Sequence, residues 1–332
     1  MPHHQGVMIF AEQRQGVITS ITYELIGKGR ELAEILCEPL ECILIGENIQ
    51  NNAQELITYG ADKVYVIQHP ILADLKEEPY TDIISQISEE NRPSILLIGA
   101  TSFGRSIAPR IATKLKTGLT ADCVDLEIDQ DRNLLQIRPA YGGNILATLL
   151  CEKSWPQMAT VRYKAMKKAD PIPQHEGEIS MPQINFEKIV DRTQVLKFKK
   201  EAGEISIGEA DVIVSGGKGL KNAQGFDLLQ ELAEELNGAV GASRVAVDEG
   251  WIDYYHQVGL SGRTVRPKVY IAVGISGAIQ HLAGMQTSDV IIAINKNPNA
   301  PIFKIATLGI VGDLYDIVPK LVKRIRELQK KS

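Results

Sequence analysis

Apolar residues recur along this chain in two alternating rhythms: short, nearly unbroken runs of Val, Ile and Leu, and longer stretches in which every third or fourth position is apolar. The first predicts strands buried on both faces and the second amphipathic helices, so their alternation predicts βα units around a parallel sheet. In the first half, strands are expected at Val7 to Ala11, Cys42 to Gly46, Lys63 to Ile67 and Ser94 to Gly99. Helices are expected at Thr19 to Cys37, Asn51 to Tyr59, Tyr80 to Glu89 and Thr101 to Leu115, the last with Thr101 or Ser102 as its N-cap.

From Gly118 to Met166 the pattern changes to closely spaced strand-like pieces: Cys123 to Ile128, Leu134 to Arg138, Asn144 to Cys151 and Met158 to Lys164. These are expected to extend the same sheet in antiparallel or mixed fashion. Lys167 to Arg192 carries Pro171, Pro173 and Pro182 among charges with little periodicity, which reads as a linker. A second βα series follows, with a strand at Ala210 to Val214, a turn at Ser215 to Lys221 and a helix at Phe226 to Leu236 stopped by Asn237-Gly238. Then come a strand at Val269 to Val273, a glycine loop with its helix, a strand at Val290 to Ile294, a strand-like Ile302 to Ala306 and a last helix from Leu314 to Leu328. The expected organisation is an N-terminal α/β domain with a parallel sheet over 1–170, a linker or hinge over 171–206, and a doubly wound α/β domain over 207–328.

Length agrees with this division, since 332 residues exceed one average domain of about 150. The 36 basic and 41 acidic residues leave a net charge of −5, which argues against a broadly basic nucleic-acid binder. No apolar run approaches the roughly 20 residues that span a bilayer, and the start lacks a charged-then-apolar signal, so a cytoplasmic protein without membrane insertion is expected. Cys37, Cys42, Cys123 and Cys151 form no C-x-x-C pair. They read as buried thiols of a reducing compartment, with no metal site indicated.

Candidate chemistry lies in the loops of the second half. A Gly and Ser loop between a parallel strand and a helix turns peptide N–H groups outward at the positive end of the helix dipole, which suits a phosphate. Gly274, Ser276 and Gly277 have that character, and they equally fit a tight turn with no ligand. Gly217 and Gly219 give G-x-G, but Asn222 stands where a third glycine would complete the dinucleotide fingerprint, and no P-loop pattern occurs. Two more stretches of small, polar and cationic residues, Gly241 to Arg244 and His256 to Val265, fall near predicted strand ends, where open α/β sheets bind ligands. Asn295 and Asp313 stand where sugar hydroxyls would be met, so the loops suggest a long ligand with a diphosphate, sugars and a polar ring. Taken singly, Arg244 also reads as a surface ion-pair residue, His281 as a hydrogen-bonded core histidine and His256 as solvent-facing.

In order, "SGGKGLK", "VGASR", "QVGLSG", "AVGISGAIQHLAGM", "AINKNPNAPIF" and "GIVGDLYDIVP" closely resemble the flavin domain of electron transfer flavoprotein alpha subunits. The resemblance runs from Val212 to about Pro319, and more loosely through "GATSFGRSIAPRIATKL", "TADC" and "RPAYGGNILAT" in the first half. It implies an adenine-nucleotide-hydrolase-like N-terminal domain, a Rossmann-like FAD-binding domain over 207–328, and a heterodimer with a beta subunit that holds AMP or a second FAD. It further implies an electron carrier rather than an enzyme on its own, working with a flavin dehydrogenase such as an acyl-CoA dehydrogenase, or within an NADH-dependent bifurcating complex. The hinge, including Pro171 to Arg192, would let the flavin domain swing.

By the same resemblance Gln257, Val258, Gly259, Leu260 and Ser261, and Ser276, Gly277, Ala278, Ile279, Gln280 and His281, are FAD-binding positions, with Lys218, Ser243, Arg244, Gly274, Asn295 and Asp313 completing the site. Arg244 would place a cation beside the flavin ring, His281 would donate to the carbonyl where negative charge collects, and Ser261 would bond a ring nitrogen. Lys218 stands where many relatives have arginine, and Ser261 where threonine is usual. The rival readings are a nucleotide-binding regulatory or scaffold protein without redox work, and an NAD-dependent dehydrogenase, for which the glycine fingerprint and a general base are missing.

Overall fold

The computed structural model describes residues 4–140, 145–196, 207–208 and 210–329. The end of the expected linker, 197–206, and 141–144 of the "RPAYGGNILAT" motif lie outside the described residues. The chain divides into two compact units, Met1–Phe198 and Lys199–Ser332.

The first unit runs β1 (Val7–Ala11), a small hairpin of β2 (Gln13–Arg14) and β3 (Val17–Ile18), α1 (Ser20–Leu36), β4 (Leu40–Gly46), α2 (Gln50–Thr58), β5 (Lys63–Gln68), α3 (Glu77–Asn91), β6 (Ile95–Gly99) and α4 (Ser102–Leu115). It continues with β7 (Leu119–Cys123), β8 (Asp125–Ile128), β9 (Leu134–Ala140), β10 (Ile145–Leu149), β11 (Gln157–Val161) and β12 (Glu178–Ser180). Seven strands form one parallel sheet in the order β12-β5-β4-β1-β6-β11-β7. Its central strand β1 is buried at every residue because helices cover both faces, so its sequence is continuously apolar instead of alternating. Thr101 is the N-cap of α4, its hydroxyl accepting from Gly104 N at 2.8 Å.

Two expectations change here. The Gly118 to Met166 region does not simply extend the main sheet: β8, β9 and β10 form a separate antiparallel sheet, while β11 joins the main sheet parallel to β6 and β7. Strand length and alternation look the same in both arrangements, so register partners could not be read from the pattern. The stretch Pro171 to Arg192 is tied to the first unit. Ile172 N donates to Thr58 O at 2.7 Å, β12 pairs with β5 as an edge strand, and Lys76 Nζ reaches Asp191 at 2.7 Å. Prolines are compatible with an edge strand's neighbourhood because one side of such a strand needs no ladder partner. Of the four cysteines, Cys42 and Cys123 are buried, but Cys37 is exposed at the left-handed C-cap of α1.

The second unit contains β13 (Val212–Gly216), α5 (Gly225–Glu235), β14 (Ala239–Ala242), α6 (Arg244–Asp248), β15 (Val269–Val273), α7 (Ile279–Leu282), β16 (Val290–Asn295), β17 (Leu308–Val311) and α8 (Leu314–Gln329). All five strands are parallel in the order β14-β13-β15-β16-β17. The chain winds one way from β13 to β14 and the other way from β15 onward, so the connections diverge between β13 and β15. That topological switch point is where a doubly wound sheet opens a crevice at the carboxyl ends of its strands. Apolar clusters pack on both faces of the sheet. The expected strand at Ile302 to Ala306 is instead a 3-10 turn over Pro301–Lys304, and the strand comes later, as β17. Pro301 favours the first position of a helical turn, and Ile302 and Ile305 stand three apart, which is turn spacing and not strand alternation.

Among the described residues no helix is long and apolar enough to cross a membrane, and no cluster of three His, Cys, Asp or Glu side chains could hold a metal ion.

Candidate functional site

The loops after β13, β14, β15 and β16 meet at the carboxyl edge of the second sheet around a cleft of about 690 Å³, within the roughly 300–1,000 Å³ of small-molecule and cofactor sites. The loop after β13 brings Gly217, Lys218, Gly219 and Lys221, and the turn into α6 brings Ser243, Arg244 and Val245. The loop after β15 brings Gly274, Ile275, Ser276, Ala278, Gln280 and His281, and the end of β16 brings Asn295 and Lys296. Gln257, Val258, Gly259, Leu260 and Ser261 close the remaining side. That strip is seated by backbone bonds, Val258 N donating to Ala242 O at 2.9 Å and Leu260 N to Gln280 O at 2.7 Å.

Asp313 lines a smaller adjoining cleft that shares Gly219, Lys221, Gly274, Asn295 and Lys296. Its carboxylate accepts from Tyr315 N at 2.9 Å and so caps the start of α8. Gly277 and Ile279, both expected in the site, are not part of the cleft's lining: Gly277 is buried behind it and the Ile279 side chain is 81% exposed. Lys221, Val245, Ile275 and Lys296 line the cleft without having been singled out in the sequence, where a lone lysine or an apolar residue carries no motif.

The glycines serve the tight turns that were one of their two readings. Gly219 N donates to Gly274 O at 3.0 Å, and a Cβ on Gly274 would stand 2.9 Å from Gly219 Cα. Gly277, at φ 89°, would press a Cβ on Ile302 N. Glycine here lets loop pack on loop, and it permits the positive φ that side chains resist. Asn295 braces the same loop, donating to Ile275 O at 2.9 Å while accepting from Asn297 N at 2.9 Å. The helix expected after the loop is the single turn α7, too short to build a macrodipole of consequence.

Polar side chains around the cleft differ in how far they are committed. Arg244 is exposed and pairs with Asp248 at 3.2 Å, a weak surface contact that leaves the guanidinium within the lining. Ser261 Oγ accepts from Gln257 Nε2 at 3.1 Å and keeps its own hydrogen to donate. His256 is half-buried and not solvent-facing: its Nδ1 lies 2.8 Å from Val240 O. His281 is buried, with Nε2 at 3.0 Å from the Tyr270 hydroxyl and Nδ1 without a hydrogen-bond partner of sound geometry. Burial pushes its imidazole down to about 4, opposed weakly by the Val258 backbone, so the ring is neutral at physiological pH. Ser243 Oγ is also buried and unpartnered, although the residue stands at the N-cap of α6.

Residues 7–184 match the family described as the electron transfer flavoprotein domain, and residues 206–286 match the electron transfer flavoprotein FAD-binding domain. An electron transfer flavoprotein subunit alpha of Thermoanaerobacterium thermosaccharolyticum is 48% identical over 330 residues, covering 99% of this chain and 100% of the relative. That of Clostridium acetobutylicum is 47% identical, covering 97% of each. The LctC subunit of a lactate dehydrogenase (NAD(+),ferredoxin) from Acetobacterium woodii is 44% identical, covering 97% of this chain and 77% of the relative.

Proposed function

We infer the function from one premise: this chain belongs to the electron transfer flavoprotein family, as an alpha subunit. Its second unit is a flavin-binding domain, and its role is electron transfer, not the regulatory or scaffold role weighed above. In our reading the flavin is one FAD, held at the switch point of the second sheet.

The observation that carries this reading is the pair of buried, unpartnered polar atoms at the cleft, Ser243 Oγ and His281 Nδ1. Leaving a buried donor or acceptor unmade costs about 1–3 kcal/mol each, so two beside one cleft fit a polar ligand that completes them. Lys218, Lys221 and Lys296 suit a diphosphate, although a lysine offers a point charge where arginine would offer a fork. Arg244 suits a ring that gains negative charge, its bond to Asp248 being exposed and easily exchanged. Ser261 offers a hydrogen to a ring nitrogen, and the Gln257 amide fixes the hydroxyl's position. Bound FAD supplies the reversible one- and two-electron chemistry that none of these side chains possesses.

The partners we propose are a beta subunit, forming a heterodimer, and a flavin dehydrogenase such as an acyl-CoA dehydrogenase. The LctC relative belongs to a complex named for both NAD(+) and ferredoxin. That supports an NADH-dependent bifurcating assembly as the second reading. Nucleotides released from the denatured heterodimer distinguish the two: one FAD and one AMP is expected of simple transfer and two FAD of bifurcation. Absence of FAD would refute both.

A further inference from the structure

Tyr270, in the middle of β15, lies outside the cleft's lining yet holds the cleft's buried histidine. The tyrosine is fully buried, and its hydroxyl lies 3.0 Å from His281 Nε2. The two rings are 6.1 Å apart and inclined by 59°, so they do not stack and the hydrogen bond is their polar contact.

A neutral imidazole carries one N–H, and which nitrogen bears it follows from the bond the other nitrogen makes. His281 is kept neutral by burial, and burial likewise holds the Tyr270 phenol well above its ordinary range, so the phenol keeps its hydrogen. Donor and acceptor in this contact are then decided by the neighbours. Among the described residues the phenol has one hydrogen-bond partner, His281 Nε2, since nearby Ser215 Oγ makes no hydrogen bond. His281 Nδ1 makes no hydrogen bond within the chain, so it is the nitrogen left for a ligand. If the phenol donates to Nε2, only Nδ1–H is left to be completed; if the imidazole donated instead, the buried phenol hydrogen would also be left unmade.

We infer that Tyr270 is a positioning residue: its hydroxyl donates to His281 Nε2, holds the ring as the Nδ1–H tautomer, and so presents His281 to the cleft as a donor and not as an acceptor. A ligand ring bearing a carbonyl oxygen is accepted by that tautomer, and with the other tautomer two lone pairs would face each other. The inference rests on the flavin reading for its consequence, but the tautomer is a property of the chain itself.

The test is nuclear magnetic resonance of the heterodimer with isotopically labelled histidine nitrogens, with and without FAD, the His281 signals being assigned by their loss in His281→Gln. A pyridine-type Nε2 and a pyrrole-type Nδ1 are expected in both states. Tyr270→Phe is expected to shift Nε2 toward the pyrrole type and to weaken FAD binding about tenfold, the loss of one hydrogen bond of ordinary net strength. A pyrrole-type Nε2 in the unmodified protein overturns the inference, as does a Tyr270→Phe protein with unchanged signals and affinity. Should that variant not fold, the unmodified protein's spectrum decides alone. A protein with the expected tautomer that takes up no FAD refutes the flavin reading and leaves the tautomer lock standing.

Discussion

A neutral imidazole in a buried site makes the second unit sensitive to acid. His281 binds its proton at about 4 in the folded chain and near 6.5 when unfolded. Between those values the unfolded chain holds more protons, so stability rises with pH, is complete above about 6.5 and is lost as pH falls toward 4. The difference corresponds to about 3 kcal/mol at most. Denaturant unfolding of His281→Gln across this window is therefore expected to show a shallower loss than the unmodified protein, and an identical slope would contradict the burial account. The sequence placed His281 in a glycine loop, and the structure makes it a buried, hydrogen-bonded histidine that also lines the cleft. Tyr270 gave no such signal. A tyrosine inside an apolar run reads as core, and its bond to a residue eleven positions later depends on how the loop turns back.

Elements built on burial were legible in the pattern, and three elements at sheet edges were not. β1 and β15 are covered on both faces, and their apolar runs marked them to the residue. β17 is mostly exposed, β14 is an Ala and Gly-containing strand of four residues, and β12 has three residues in a proline-rich stretch, so none carried a periodic signal. The loops' glycines were legible, but their reason lay in packing that only the fold reveals. Gly277→Ala would combine a φ of 89° with a Cβ against Ile302 N. It is expected to destabilise the second unit by at least about 1–3 kcal/mol in thermal unfolding, and to impair FAD uptake by displacing Ser276 and Ala278. Unaltered stability would mean that the loop relaxes freely and does not set the cleft's shape.

At the scale of the whole molecule, the sheet order β14-β13-β15-β16-β17 explains why four loops scattered between residues 217 and 296 share one cleft. Each follows a parallel strand, and parallel strands end on the same edge, with the opening where the winding reverses. Motif order along the chain was enough to suggest the flavin domain, whereas the fastening of Pro171 to Arg192 to the first unit was not visible, because a pairing with β5 is a long-range contact. The most direct measurement of the central claim is the visible absorption spectrum of the heterodimer purified without added flavin, taken beside the Gly277→Ala form. An oxidised-flavin spectrum that loses intensity in the variant, and regains it on adding excess FAD, is the result predicted here. A colourless protein that takes up no FAD would contradict the flavin reading, and a flavin spectrum indifferent to the loop would place the cofactor somewhere other than this cleft.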